Sequence, residues 1–270
     1  MAIRFLLKEG LLKVLTMSYD DGNFDGDKRL IEIFNKYGIK GTFHLNGIKY
    51  VEGPHGRYAD RVEEVKEMYK GHEISLHGYS HPSLARLPKS EVMREIVRDR
   101  EVLEGLAGYP VRGMSYPFGS YNDEVIEVLR ILDVKYSRAV LPSNDFSFPK
   151  DFLDWHPTGH HGELQDQRLE KFAKASPDSP ILFYVWGHSY EFNEENTEYT
   201  WDKMEAFCEK ASRIDGVWYA TNIEIYDYIT ATKRIEISND RKMFFNPSAI
   251  SVWASVDGAV VELKPGVTKI

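Results

Sequence analysis

The chain has 270 residues, 42% hydrophobic and 28% charged, with a formal net charge of −8 and one cysteine. The acidic balance argues against a general nucleic-acid surface or an anionic-membrane surface, both of which need a basic stripe. A lone Cys208 excludes an internal disulfide framework and a thiolate metal cluster, so any metal would fall to imidazole and carboxylate ligands.

The first organised stretch runs through Val14-Leu15-Thr16-Met17-Ser18-Tyr19 into Asp20-Asp21-Gly22. Such an apolar, β-favouring run ending in two acids is how a buried parallel strand delivers polar groups to the carboxyl edge of a sheet. Leu30, Ile31, Ile33, Phe34 and Tyr37 then recur at helical spacing up to Gly38, and 41–45 reads as a second strand. After a glycine-rich, aromatic loop over 47–58, Asp60 is expected to cap a helix reaching Lys70. Residues 73–76 form a third strand, and Ser90 opens a long amphipathic helix ending near Gly105. Strand and helix go on alternating: 111–116, 123–132, 136–140, 165–175, 181–186, 201–213, 217–220 and 223–229. The expected architecture is α/β, a distorted (β/α) barrel over residues 1–233.

The pattern changes after Arg234. Short strand candidates over 235–237, 242–245, 250–255 and 260–263, with an Asp257-Gly258 hairpin signal, predict a small all-β extension over 234–270. It would pack on the barrel or on a partner subunit, through Phe244, Phe245 and Trp253, so a homo-oligomer is one expectation. Residues 1–9 hold too short an apolar run for a secretory core, and no later run approaches membrane-spanning length. The expected location is therefore cytoplasmic, with neither membrane nor nucleic acid as a partner.

Five segments carry candidate chemistry. Adjacent Asp20 and Asp21 resist joint ionisation, which a metal ion bound by one would relieve, although an ordinary Asp-Gly turn fits the same residues. His77 and His81 lie at a strand end, with Gly78 and Pro82 favouring a tight loop; with one carboxylate they suffice for a catalytic divalent ion, and two hydrogen-bonded loop histidines are the plainer reading. The segment 112–119, with Pro117 and two glycines, could aim backbone N–H groups at an oxyanion or simply turn the chain. Residues 151–161 crowd Asp151, Asp154, Trp155, His156, His160 and His161 together, compatible with supporting carboxylates, an aromatic wall for a sugar, or a second metal site. A buried strand ends at His188, placed either to protonate a leaving group or to rest at the core edge.

Taken in order, Ser18-Tyr19-Asp20-Asp21-Gly22, His77 through His81, 112–119, 151–155 and the strand ending at His188 resemble the five motifs of the polysaccharide deacetylase family, the NodB-homology or carbohydrate esterase family 4 domain. The resemblance covers roughly residues 10–230. It implies a barrel of about seven parallel strands. It also implies a metal-dependent hydrolase of carbon–nitrogen bonds, removing an acetyl or similar acyl group from an N-acylated carbohydrate, small or oligomeric. The same fold acting on a small amide, formamide or cyclic imide is the alternative. By resemblance, Asp21, His77 and His81 hold the ion, Zn²⁺ first and Co²⁺, Ni²⁺ or Mn²⁺ after it. Asp20 is the base, His188 the acid and the Phe118 amide the oxyanion donor. The family's third motif carries an arginine two residues before its proline; Ser115 stands there, leaving Arg112 as the candidate, with Asp151 or Asp154 orienting Arg112 or His188. Tyr116, Pro117, Trp155 and His160 are the expected substrate contacts.

Overall fold

The computed structural model describes residues 2–163, 165–194 and 198–270. In chain order the elements are β1 (Ile3–Leu6), β2 (Lys13–Asp20), α1 (Phe24–Tyr37), β3 (Gly41–Leu45), α2 (Val62–Met68), β4 (Glu73–Leu76), α3 (Lys89–Ala107), β5 (Gly113–Ser115), α4 (Asp123–Ile131), β6 (Tyr136–Arg138), β7 (Gly159–His160) and α5 (Gln165–Lys174). There follow β8 (Ile181–His188), α6 (Trp201–Ser212), β9 (Val217–Tyr219), α7 (Asn222–Lys233), and five short strands: β10 (Glu236–Ile237), β11 (Met243–Asn246), β12 (Val252–Val256), β13 (Ala259–Leu263) and β14 (Gly266–Lys269).

The organising strand is β2, buried from Val14 to Asp20: Leu15, Met17 and Tyr19 pack into the main apolar core on one face, while Thr16, Ser18 and Asp20 on the other meet Asn222, Tyr184 and Arg138. The parallel order is β6-β5-β4-β3-β2-β8-β7. β8 runs along all of β2, while the opposite edge of β2 is shared, Lys13–Leu15 pairing with β9 and Met17–Asp20 with β3. The seven strands of this order curl into a half-barrel whose carboxyl rim collects the ends of β2, β4, β5, β6 and β8. α1 shows how sequence sets an element: the Asn23 side chain accepts the Gly26 N–H at the start, and Gly38 ends the helix with φ 67°. Its Leu30, Ile31 and Phe34 are buried between.

Two helix starts differ from expectation. Asp60 lies in a 3-10 turn (Ala59–Arg61) and makes no capping bond, so α2 starts at Val62. α3 starts at Lys89, after Pro88, and passes Gly105, whose missing side chain would face open space; it stops at Gly108, where φ is 73°.

The C-terminal strands form two small sheets, β1-β12-β13 and β10-β11-β14. The Asp257-Gly258 turn joins β12 to β13 with φ of 49° and 90°, the handedness a two-residue hairpin needs. β1 was not visible as a strand in the sequence, since its partner β12 lies at the far end of the chain (Ile3 opposite Val256). Trp253 lies over Tyr228 of α7 and donates its N–H to the Tyr228 hydroxyl at 3.0 Å, so this sheet packs on the barrel. Phe244, on β11 of the other sheet, is buried in one apolar cluster with Val252, Ala254 and Leu263, and Phe245 is exposed.

Candidate metal centre and active site

β2 delivers its two acids to different places. Asp20 closes the strand with its side chain buried, flanked in the ladder by His44 of β3 and His188 of β8. Asp21 and Gly22 follow with φ of 74° and 61°, which bends the chain off the sheet and leaves the Asp21 carboxylate partly exposed in the cleft. Left-handed backbone is unfavourable for residues other than glycine. Asp21, His81 and Phe118 all adopt it, and all three lie at this rim.

The β4 loop is fixed from beneath. Asp99 of α3 accepts the Gly47 N–H at 2.7 Å and the His77 N–H at 3.0 Å, and Asn46 donates to the carbonyls of His77 and Gly78. His77 Nδ1 faces the Ser115 carbonyl at 3.1 Å, a group that only accepts, so this nitrogen carries the proton and Nε2 keeps its lone pair. That lone pair lies 3.5 Å from Asp21 Oδ1, and His81 Nε2 lies 3.3 Å from the same oxygen. Burial pushes His77 down to about 4 and lowers His81 as well, so both are neutral imidazoles at physiological pH. One carboxylate and two neutral imidazoles, their ligand atoms within 4.8 Å of one another, fit a divalent ion with open positions.

Two residues that sequence reasoning missed act on Asp20. Arg138, fully buried at the end of β6, donates to Asp20 Oδ2 and lies over the Trp186 ring at 4.2 Å. Ser115 donates to Asp20 Oδ1 at 3.2 Å and sits 2.7 Å from His77 Nδ1. Burial alone would raise the Asp20 carboxyl, but Arg138, backed by the histidines around it, holds it well below the usual carboxylate range. Asp20 is therefore an ionised group inside the fold. The available signal was an arginine inside the apolar run Tyr136-Ser137-Arg138-Ala139-Val140.

His188 ends β8 with Nε2 4.0 Å from Asp21 Oδ2 and Nδ1 3.1 Å from Glu191 Oε1. Burial opposes its protonation, yet the hydrogen bond to Glu191 and the charge of Asp20 carry its pKa upward. Glu191 is the third missed residue. It caps its own 3-10 turn by accepting the His188 N–H, a pattern legible in the acid three positions after His188.

Other expected site residues lie elsewhere. Arg112 precedes β5, at the opposite end of that strand from the rim, and forms a two-pronged pair with Asp227 of α7 at 2.6 and 2.9 Å; Arg138 occupies the place beside Asp20. Asp154 accepts from the Tyr121 hydroxyl and pairs with His156, and Asp151 pairs with Arg130, so neither orients Arg112 or His188. Trp155 is fully buried against Tyr136, Phe152 and Tyr184, and Tyr116 is fully buried with its hydroxyl on the Leu153 carbonyl, so neither can touch a substrate. Pro117 is buried against Gly78 and supports the loop rather than facing the cleft. Phe118 is 69% exposed, its ring edge-on to His81 at 4.4 Å. His160 faces Glu191 at 3.0 Å.

Among the described residues no helix is long and apolar enough to cross a membrane. The sequence profile described as polysaccharide deacetylase matches residues 8–137. A chitin deacetylase from Arthroderma benhamiae is 29% identical over 134 residues, 49% of this chain and 35% of its own length. A peptidoglycan-N-acetylglucosamine deacetylase from Bacillus cereus is 28% identical over 106 residues, 39% of this chain and 36% of its own. The chain thus spans about a third of the length of these curated relatives. Among solved structures, peptidoglycan deacetylase PdaC from Bacillus subtilis shares the fold at TM-score 0.52 and 18% identity, over 82% of this chain and 93% of that one. The ordered motifs, the profile over residues 8–137 and the shared fold agree in making this chain similar to the polysaccharide deacetylase family.

Proposed function

We propose that this chain is a metal-dependent hydrolase that removes an acetyl group, or a similar acyl group, from an N-acylated carbohydrate, with Zn²⁺ as the ion. The observation that carries the reading is the division of labour at the end of β2: Asp21 faces two neutral imidazoles, while Asp20 is held ionised by Arg138. The family likeness supports the same reading.

Asp21, His77 and His81 would hold the ion. When bound, a divalent ion there lowers the pKa of a bound water and polarises a carbonyl. Asp20, kept anionic by Arg138 and Ser115, accepts the proton of the attacking water. The rigid 3-10 turn Pro117–Gly119 presents the Phe118 N–H as the donor to the developing oxyanion. His188, pushed toward its protonated form by Glu191 and aimed by the bond at Nδ1, gives its Nε2 proton to the departing amine.

The test is acetate release by the zinc-loaded chain from N-acetylglucosamine oligomers, run beside small formamides and cyclic imides. Turnover of the sugars alone supports the reading; turnover of imides alone overturns it.

A further inference from the structure

We propose that His160, His161 and Glu191 form a second divalent-cation site beside the first. It stands on its own residues and goes beyond the assigned activity.

The donor set is the first argument. His160 Nε2 and His161 Nε2 lie 3.0 and 2.9 Å from the same oxygen, Glu191 Oε2, and the two rings are 4.3 Å apart. Two imidazoles and one carboxylate with positions left open suit zinc and its neighbours in the first transition row. The ion-pair partners of Glu191 among the described residues are imidazoles alone, of His160, His161 and His188.

The second argument is the His161 ring itself. Its side chain is wholly buried, and neither ring nitrogen makes a hydrogen bond among the described residues, the short Glu191 contact lying off the hydrogen-bond axis. A buried polar nitrogen without a partner is costly, and a metal–nitrogen bond satisfies it. The fold makes room for this ring: a Cβ on Gly187 would fall 2.1 Å from His161 Nδ1, so β8 carries glycine where His161 packs. A cavity of about 300 Å³ is lined in part by His161, Gly162, Phe192 and Tyr199. A competing contact is that of the Gly162 N–H, which points at His160 Nδ1 at 3.3 Å, whereas an ion on Nε2 requires the proton at Nδ1. That contact is long, and giving it up is a small loss beside a metal bond.

The consequence is a link between the two centres. Glu191 would bind the second ion through Oε2 while Oε1 stays on His188 Nδ1, whose other nitrogen faces Asp21.

The experiment counts metal and needs no substrate. The full chain is stripped with chelator, reloaded with Zn²⁺ alone, passed through gel filtration and analysed for zinc per chain. The expected result is two ions for wild type and one each for His77→Ala, His161→Ala and Glu191→Gln. Glu191→Gln keeps the size of the side chain, and the wild type with His77→Ala decides the question even if a variant at the second cluster fails to fold. One ion in wild type with none in His77→Ala overturns the proposal, as does retention of both ions by folded His161→Ala and Glu191→Gln. A chain that binds two ions yet hydrolyses no sugar would sink the proposed function and leave this site standing.

Discussion

The site has two halves built in different ways. Within residues 8–137, Asp20-Asp21 and His77 to His81 come from two short contiguous segments, each at the end of one strand and each bent by left-handed backbone. After residue 137 the parts are single residues on three separate segments: Arg138 on β6, His160 and His161 at β7, and His188 and Glu191 at the end of β8. The first half holds the candidate ligands of the first ion, and Arg138 and Glu191 of the second bear on the charge of Asp20 and His188. The proposed roles divide along nearly the same line as sequence likeness: the candidate ligands of the first ion and the proposed base Asp20 fall within the matched part, and the residues that tune Asp20 and His188 fall outside it.

Variants can break this comparison. The largest effect is expected of His77→Ala, which should lose both the first ion and turnover, by about 10³-fold or more, read as zinc content beside acetate release. Arg138→Leu should lower turnover by about 10²-fold or more while that ion stays, because it unpairs Asp20 without touching a ligand. Equal loss of metal in both variants would erase the distinction between the halves. Trp155→Ala tests whether a tryptophan beside the site is core: it should destabilise the fold by about 3–5 kcal/mol, seen in denaturant melts, with activity per folded molecule little changed. Arg112→Ala should cost only about 1 kcal/mol or less, since its pair with Asp227 is part-exposed, and should leave turnover near wild type.

The smallest effect sharpens the comparison from a place outside the site. Burial pushes the Glu73 carboxyl, on β4, up to about 7, against the pull of hydrogen bonds from Tyr136, the Ile223 N–H and Thr42. Between the ordinary carboxyl range and pH 7 the folded chain keeps a proton that the unfolded chain has released. Stability should therefore fall as pH rises through that window and level off above it. Glu73→Gln should make this dependence shallower in a series of thermal melts, the remainder belonging to Asp27 and Asp99, which burial raises to about 7 and about 8, and should leave the acidic limb of turnover unchanged.

How much of this was legible follows from the same contrast. The strand and helix alternation gave the sheet, and strand ends bearing Asp20-Asp21, His77 and His188 could be placed on one rim because parallel strands share a carboxyl edge. Arg138 was missed because its partner Asp20 is far away in sequence; proximity to Pro117 pointed instead to Arg112, and only the register that sets Ser115 beside Arg138 separates the two. From sequence Trp155 and Tyr116 read as substrate contacts because chain neighbourhood says nothing about which way a side chain turns; both turn inward, into apolar clusters assembled from several elements. β1 was invisible for a related reason, being four residues long and paired with β12 at the other end of the chain.

The central claim is that adjacent carboxylates at the end of β2 have different work, and the most direct test compares Asp20→Asn with Asp21→Asn for zinc content at the first centre and acetate release. The account predicts that Asp20→Asn keeps that ion and loses turnover, whereas Asp21→Asn loses the ion itself. An Asp20→Asn chain that still turns over, or an Asp21→Asn chain that holds the first ion as tightly as wild type, would contradict it.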